Sequence, residues 1–158
     1  MSTLDKIVFC GSFDPFTLGH YNIACRAAKM CDTLYIAMGV NTAKQRFISI
    51  DNAIKLIKKS MAEHTNVEVL AYDTTTVELC QKLGAKTLVH GLRNANDLDY
   101  EIQIETINLT LDNSIDNIYL TTPANIRHIS SSAIREMVRF KLDTAALMPP
   151  QIDIKDYL

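Results

Sequence analysis

Five short strand-like segments, the first two of them apolar runs, divide the 158-residue chain, and stretches with helical spacing of apolar residues separate them. Runs without polar alternation are typical of strands in a parallel sheet that is covered on both faces. Alternation of such strands with helices predicts a doubly wound sheet with right-handed crossovers. The predicted strands cover residues 6–10, 34–40, 67–70, 87–89 and 117–120.

The helices between these strands complete the prediction of a Rossmann-like α/β fold, a five-stranded parallel sheet with helices on both faces. Apolar spacing places helices at 20–30, 50–61, 77–83, 97–111 and 131–140. Ser49 is positioned to cap the second helix, and Gly84 to end the third. We expect one domain over residues 1–158, because this length suits a single domain, and a short polar tail after Pro149–Pro150.

Charge and composition exclude several classes of protein. The net charge is −2, from 16 Lys and Arg against 18 Asp and Glu, whereas a protein that coats nucleic acid is usually strongly basic. No apolar run approaches the roughly 18 residues of a membrane span, and residues 1–6 lack the apolar core of a signal peptide. The four cysteines form no CxxC pair, which indicates free or buried thiols in a reducing compartment. We therefore expect a cytoplasmic protein without a nucleic-acid or membrane partner.

Ligands of doubly wound sheets bind beyond the carboxyl ends of the strands. That rule selects the loops at 11–19, 41–48, 90–96 and 121–131. Because basic side chains gather in or beside these loops, we expect a local cationic cleft in spite of the near-neutral total charge. The basic residues are Lys44, Arg46, Arg93, Arg127 and Arg135.

The loop after the first strand carries the strongest signal for chemistry. Gly11 allows a sharp turn, and Gly19 with His20 opens a helix whose free N–H groups and positive dipole end suit a phosphate. Taken alone, the pattern is more often that of a tight turn with a capping histidine. Asp14 in the same loop is expected to brace it as a hydrogen-bond acceptor, in preference to binding a metal.

Two longer motifs make the assignment more specific. Thr17-Leu18-Gly19-His20 resembles the (H/T)xGH motif of a nucleotidyltransferase superfamily. Near the other end, the segment from Ile129 to Arg135, with three consecutive serines, is similar to the ISSSxx(R/K) segment of that superfamily. Serine hydroxyls and N–H groups at a helix start can bind phosphate, and helix capping is the alternative for these serines.

Within that superfamily the chain most resembles the phosphopantetheine adenylyltransferase family over nearly its whole length. The residues that carry this likeness are His90-Gly91-Leu92-Arg93 and the following Asp97-Leu98-Asp99-Tyr100-Glu101. The resemblance implies transfer of an adenylyl group from ATP to 4′-phosphopantetheine, giving dephospho-coenzyme A and pyrophosphate. It further implies a homo-hexamer, coenzyme A as a feedback ligand, and Mg²⁺ carried with ATP and not held by metal-ligating residues of the chain.

The resemblance also implies a role for each matching residue. Catalysis is expected from His20, which donates to the α-phosphate, and from Lys44 and Arg93, which grip phosphates. The ATP-binding set comprises Ser12, Phe13, His20, Gly91, Arg93, Glu101, Ile129, Ser130, Ser131 and Ser132. The acceptor-binding set comprises Ser12, Lys44, Thr76 and His90.

Two departures from the family pattern qualify these expectations. His90 stands where the family usually has arginine, and a histidine has a reference pKa of about 6.5. We therefore expect a hold on ATP that weakens as pH rises. Thr75 and Thr76 make the acceptor pocket more polar than usual, although one of them is positioned to cap a helix.

Two other functions remain open at this point. One is transfer to a different phosphate acceptor, such as nicotinamide mononucleotide or glycerol phosphate, which the His90–Arg93 segment and Tyr100-Glu101 disfavour. The other is a non-catalytic nucleotide sensor on the same fold, which the presence of His20, Lys44 and Arg93 disfavours.

Overall fold

A computed structural model describes residues 4–158 and contains one five-stranded, fully parallel sheet. The strand order is β3-β2-β1-β4-β5, so the chain reverses direction across the sheet between β1 and β4. This is the predicted doubly wound architecture. The strands are β1 (Leu4–Gly11), β2 (Cys31–Gly39), β3 (Val67–Tyr72), β4 (Thr87–Leu92) and β5 (Asp116–Thr121).

The helices follow the predicted alternation, with shifted ends. They are α1 (Leu18–Ala28), α2 (Ile50–Ser60), α3 (Thr76–Leu83), α4 (Ala95–Leu111) and α5 (Ser131–Arg139). Ser49 caps α2 by accepting from Asn52 N–H, as predicted. Gly84 ends α3 in the left-handed region with φ 64°, also as predicted, because glycine adopts that conformation without steric cost.

Successive residues of the central strand pack into two separate cores. Ile7 and Phe9 of β1 contribute to the core under α1, α2 and α5, whereas Val8 lies in the smaller core under α3. Side chains alternate between the two faces of a strand, so the apolar run of β1 serves both. The sheet is thus covered on both faces, as its continuous hydrophobicity predicts.

Two expectations about chain segments are wrong. Residues 90–92, predicted as the start of a loop, continue β4, because His90, Gly91 and Leu92 pair with β5. The C-terminal segment is also not a polar tail. Ile152, Ile154 and Tyr157 are buried in the larger core, and the side-chain amide of Asn52 donates to the Tyr157 carbonyl. Three apolar side chains at spacings of two and three residues were the overlooked signal.

The prediction that residues 1–6 are not a signal peptide falls partly on residues 1–3, which lie outside the described residues. Within residues 4–158, none of the helices has both the length and the apolar character that a membrane span requires. The three remaining helical turns are 3₁₀ segments at Ala124–Ile126, Ala145–Leu147 and Ile154–Tyr157.

Candidate active site

A cavity of about 770 Å³ opens at the carboxyl ends of the strands, beside the reversal between β1 and β4. This is where ligands bind in doubly wound folds. The cavity lies between two walls that face each other. The α1 wall is formed by Phe13, Thr17 and His20, and the α4 wall by His90, Arg93, Asp97 and Glu101.

The loop that leads into the α1 wall is braced from a neighbouring segment. Asp14 accepts hydrogen bonds from the backbone N–H groups of Phe47 and Ile48, each at 2.8 Å. Arg46 lies 3.7 Å from the same carboxylate and donates to the Phe13 carbonyl. The predicted bracing role of Asp14 is therefore confirmed. Phe13 itself has φ 45°, a conformation that non-glycine residues seldom adopt and that often occurs at functional sites.

His20 is oriented by the first turn of its own helix. Thr17 caps α1 through a capping box, in which Thr17 Oγ1 accepts from the His20 N–H and the Thr17 N–H donates to His20 Nδ1 at 3.0 Å. Because Nδ1 accepts a hydrogen bond from the backbone, we assign the ring proton to Nε2. The capping interpretation of His20 is confirmed, and it leaves the catalytic one open. The cap fixes the ring and leaves an Nε2–H donor for the cavity.

An aromatic enclosure keeps this histidine neutral. Its ring lies 5.0 Å from the Phe13 ring and stacks on Phe16 with centroids 5.6 Å apart. Burial, and secondarily the positive charge of Arg93, lower the pKa of His20 from 6.5 to about 4. A neutral imidazole donates one hydrogen bond without changing its protonation state across the physiological range.

The α4 wall holds its histidine in the opposite way. Nδ1 of His90 lies 3.0 Å from a Glu101 carboxylate oxygen, Nε2 lies 2.8 Å from Asn117 Oδ1, and the ring stacks on Tyr119. Burial lowers the pKa of His90, but the hydrogen bonds to Glu101 and Asn117 outweigh it, and the net pKa lies above 6.5. Both ring nitrogens of His90 face acceptors of the protein. The sequence predicts that this side chain binds a substrate phosphate, and neither nitrogen is directed to such a contact here.

Arg93 lies at the outer end of the same wall. Its backbone N–H and its guanidinium both donate to the carboxylate of Asp97, with Nε at 3.2 Å. Asp97 thereby links the end of β4 to the first turn of α4, where Asn94 caps the helix. The Arg93 side chain remains 41 % exposed, so the guanidinium is accessible to a ligand.

The three serines combine capping with cavity lining. Ser130 caps α5 by accepting from Ala133 N–H, and Ser131 donates to the Pro15 carbonyl at 2.8 Å. Ser132 accepts from Arg135, whose guanidinium also donates to the Asp14 carbonyl. Helix capping is confirmed for Ser130, and all three serines line the cavity.

The predicted residues converge on this one cavity with a single exception. Lys44 is exposed in the loop after β2 and does not line the cavity. The other predicted residues line it, and beyond those already placed they are Ser12, Thr76, Gly91 and Ile129.

The prediction that five basic side chains form a cationic cleft is wrong for most of them. Arg46 and Arg135 are used to hold the β1 loop, and Arg127 donates to the Thr122 carbonyl. Only Arg93, of the five basic residues, lines the cavity. Arginines near a loop satisfy backbone carbonyls as readily as ligands, and their position in the sequence does not reveal which.

Sequence reasoning missed the contribution of β3. Tyr72, Asp73 and Thr74 line the cavity beside Cys10 and Thr76. Burial raises the pKa of the Cys10 thiol to about 12, which keeps it protonated. Thr75, next in sequence, caps α3 as expected. The signal was available, because β3 is parallel to β2 and its carboxyl end must lie at the same edge, but the strand was predicted to end at Leu70.

Comparison with known proteins places this geometry among enzymes. The family model described as cytidylyltransferase-like matches residues 8–137. A phosphopantetheine adenylyltransferase of Streptococcus pneumoniae is 42 % identical over 150 residues, covering 94 % of this chain and 93 % of the relative. Those of Staphylococcus haemolyticus and Lachnoclostridium phytofermentans are 36 % and 37 % identical, over 94 % and 92 % of this chain and 92 % and 89 % of the relatives.

A solved structure has the same fold at low sequence identity. It is a Vibrio parahaemolyticus protein assigned as a nicotinate-nucleotide adenylyltransferase, with a TM-score of 0.68 and 17 % identity. The match covers 94 % of this chain and 95 % of that protein.

Proposed function

Because the chain belongs to the phosphopantetheine adenylyltransferases of the cytidylyltransferase-like family, we propose that it transfers the adenylyl group of ATP to 4′-phosphopantetheine. The products are dephospho-coenzyme A and pyrophosphate, a step of coenzyme A biosynthesis. The observation that carries this proposal is His20. Its neutral ring is fixed at the start of α1, and its Nε2–H donor is free for the cavity.

The reaction needs positioning more than it needs a base. An oxygen of the acceptor phosphate attacks the α-phosphorus of ATP, the bond from that phosphorus to the β-bridging oxygen breaks, and pyrophosphate leaves. The nucleophile is already ionised, so no protein group has to remove a proton. Catalysis then comes from orientation and from donors aimed at the oxygens of the α-phosphoryl group.

The chain supplies those donors from two helix starts and two flexible cations. His20 Nε2–H donates to an α-phosphoryl oxygen as charge develops there. The free N–H groups at the start of α5, with Ser131 and Ser132, suit the β- and γ-phosphates. Arg93 binds phosphate from the rim of the α4 wall. We propose that Lys44, exposed on the loop after β2 and outside the cavity lining, binds a substrate phosphate as well.

Magnesium enters this scheme as part of the nucleotide substrate. Among residues 4–158, no group of three or more His, Cys, Asp or Glu side chains could hold a metal ion. Mg²⁺ commonly retains several waters and binds mainly to substrate phosphates. We propose that Mg²⁺ would bind the phosphates of ATP, where it would supply neutralisation of their charge.

One assay tests the proposal against its alternatives. Pyrophosphate release is measured with ATP and Mg²⁺ and, in separate reactions, 4′-phosphopantetheine, nicotinamide mononucleotide and glycerol phosphate. We expect turnover with 4′-phosphopantetheine to exceed turnover with the other acceptors. Faster turnover with another acceptor would reassign the substrate, and tight ATP binding without turnover would indicate a sensor.

The assembly that we propose is a homo-hexamer formed through α4. This helix has no buried side chain, and large apolar residues on it are exposed, including Ile107 and Leu111 at 58 % each. Exposed apolar patches of this kind mark interaction surfaces. Sedimentation velocity should give six copies for the native chain, and Ile107→Glu should yield smaller species. A monomeric native chain would contradict the assembly.

Coenzyme A and the cytoplasm complete the proposal. Coenzyme A contains the adenylyl and pantetheine parts of the product, so we expect it to compete for the same cavity, which inhibition kinetics against 4′-phosphopantetheine would test. All four cysteines are free thiols, which supports a reducing compartment such as the cytoplasm.

A further inference from the structure

The cavity has an unfavourable charge for a ligand that carries several phosphates. Its lining contains three carboxylates, those of Asp73, Asp97 and Glu101, against the single guanidinium of Arg93. Asp97 is neutralised by its pair with Arg93. Since His20 is neutral, the charge of the lining depends on His90, the one remaining group that can oppose Glu101.

The surroundings of His90 favour the doubly protonated ring. Nδ1 faces a carboxylate oxygen of Glu101, and Nε2 faces Oδ1 of Asn117, so each ring nitrogen meets an acceptor. A neutral imidazole has one N–H and could satisfy only one of these two acceptors, whereas the imidazolium satisfies both. The ring is 14 % exposed and stacks on Tyr119, which holds its plane.

The two carboxylates that face this ring act in the same direction, and the other titratable groups beside it stay neutral. Glu101 and Glu105 of α4 both favour the charged ring, and Glu105 also accepts from the Tyr119 hydroxyl at 2.5 Å. Burial, the largest cause, raises the pKa of Tyr119, and burial likewise raises that of Cys10, which faces Glu101. Tyr119 and Cys10 therefore stay neutral near pH 7, and His90 is the group that changes charge.

We propose that Asn117 is a positioning residue for the transfer reaction. By accepting from Nε2 of His90, it keeps that ring doubly protonated and paired with Glu101, so that the α4 wall presents no net negative charge to the phosphates of the substrates. Asn117 lies on β5 outside the cavity lining and acts only through His90. This role rests on the proposed function for its ligands, ATP and the phosphorylated acceptor.

The first test measures the charge state of His90 without any substrate. NMR titration of the histidine ring protons, with the His90 signal identified from His90→Gln, compares the native chain with Asn117→Leu. Loss of a hydrogen bond that favours the charged ring should lower the pKa of His90. Asn117→Asp retains an acceptor and should keep the pKa at or above the native value. Asn113→Leu, exposed in the preceding turn, serves as the matched control.

The second test separates a charge effect from a merely structural one. The ratio of KM for ATP between Asn117→Leu and the native enzyme should be near unity at a pH low enough, and at a pH high enough, for both His90 rings to carry the same charge in the first test. It should rise several-fold at the intermediate pH where the first test finds the largest difference in His90 protonation between the two proteins. A ratio that is the same at all three pH values, or an unchanged His90 titration, would overturn the proposal.

The two tests fail independently of each other. If the chain does not transfer an adenylyl group, the kinetic measurement is lost, but the titration still decides whether Asn117 keeps His90 protonated. If transfer occurs and the titration is unaffected by Asn117→Leu, the proposed function stands and the role of Asn117 is wrong. The thermal unfolding midpoint of each variant identifies any protein that is not folded.

Discussion

The two walls of the cavity treat the same side chain in opposite ways. On the α1 wall, three phenylalanine rings and a backbone N–H hold His20 neutral, with a pKa lowered to about 4 by burial and by Arg93. On the α4 wall, two acidic residues and an amide oxygen hold His90 with a raised pKa. The charge of a histidine is therefore set by the groups around it and not by the motif in which it occurs.

Among the variants that test the difference between the two walls, His20→Ala should have the largest effect on activity. Removing one preorganised donor from a phosphoryl site typically lowers kcat by about 10²–10³-fold. We expect His20→Ala to do so with little change in KM for ATP, measured as steady-state pyrophosphate release. His128→Ala, an exposed histidine outside the cavity, is the matched control. Near-native kcat in His20→Ala would remove the α1 wall from the chemistry.

The brace behind the α1 wall should come next in size. Asp14→Ala leaves the N–H groups of Phe47 and Ile48 without their acceptor, and such a loss costs about 1–3 kcal/mol. Urea unfolding should detect this decrease, and kcat should fall because His20 loses its framework. Asp99→Ala, an exposed acid on α4, should leave the free energy of unfolding unchanged. Equal stability of the two variants would show that the loop is held by other contacts.

The charge of the α4 wall gives a smaller, pH-dependent effect. In the native enzyme, KM for ATP compared at pH 6.5 and 8 should be higher at the higher pH, because the charged form of His90 is lost as pH rises. Arginine stays charged over this range, so His90→Arg should make KM for ATP almost independent of pH. Parallel pH profiles for the two proteins would show that His90 does not set the charge of this wall.

The smallest effect is on stability, where the two histidines should have opposite signs. The folded pKa of His90 is above 6.5, so its stabilisation is present below pH 6.5 and is lost as pH rises through the folded value. The folded pKa of His20 is about 4, so its stabilisation is present above pH 6.5 and is lost as pH falls toward 4.

These signs can be read from unfolding free energies of variants. The native chain minus His90→Gln should give a difference that shrinks as pH increases, and the native chain minus His20→Asn a difference that grows between pH 4 and 6.5. Differences of the same sign of slope would mean that the two walls do not differ in the way described.

The sequence predicted the fold well because the sheet requires a repeating pattern. The inner strands β1, β2 and β4 carry buried apolar residues on both faces, so their apolar runs are visible in the sequence, and each crossover brings a helix. Strand ends were less visible. His90 and Gly91 look like loop residues in a sequence, yet they extend β4 because Gly91 leaves space under α1 and His90 is satisfied by α4 and β5.

The positions of site residues within a recognised motif were predicted. Residues whose role depends on a hydrogen-bond partner distant in the sequence were missed. His20, Arg93 and the serines converge as expected, because the parallel strands must end at one edge of the sheet. The partners of Arg46, Arg127 and Arg135 are backbone carbonyls, and no sequence pattern specifies such long-range hydrogen bonds. Asn117 was missed for the same reason, since only the folded sheet brings it to His90.

Gly91, between the two walls, determines how closely α1 and β4 can approach each other. A methyl group on Gly91 would lie 2.9 Å from Cγ1 of Ile23, which sits one turn beyond His20 on α1. The helix that carries His20 therefore packs directly on the strand that carries His90. The single hydrogen atom that Gly91 has as its side chain therefore sets the distance between neutral His20 and the charged α4 wall. Any larger side chain at position 91 would push α1 and β4 apart.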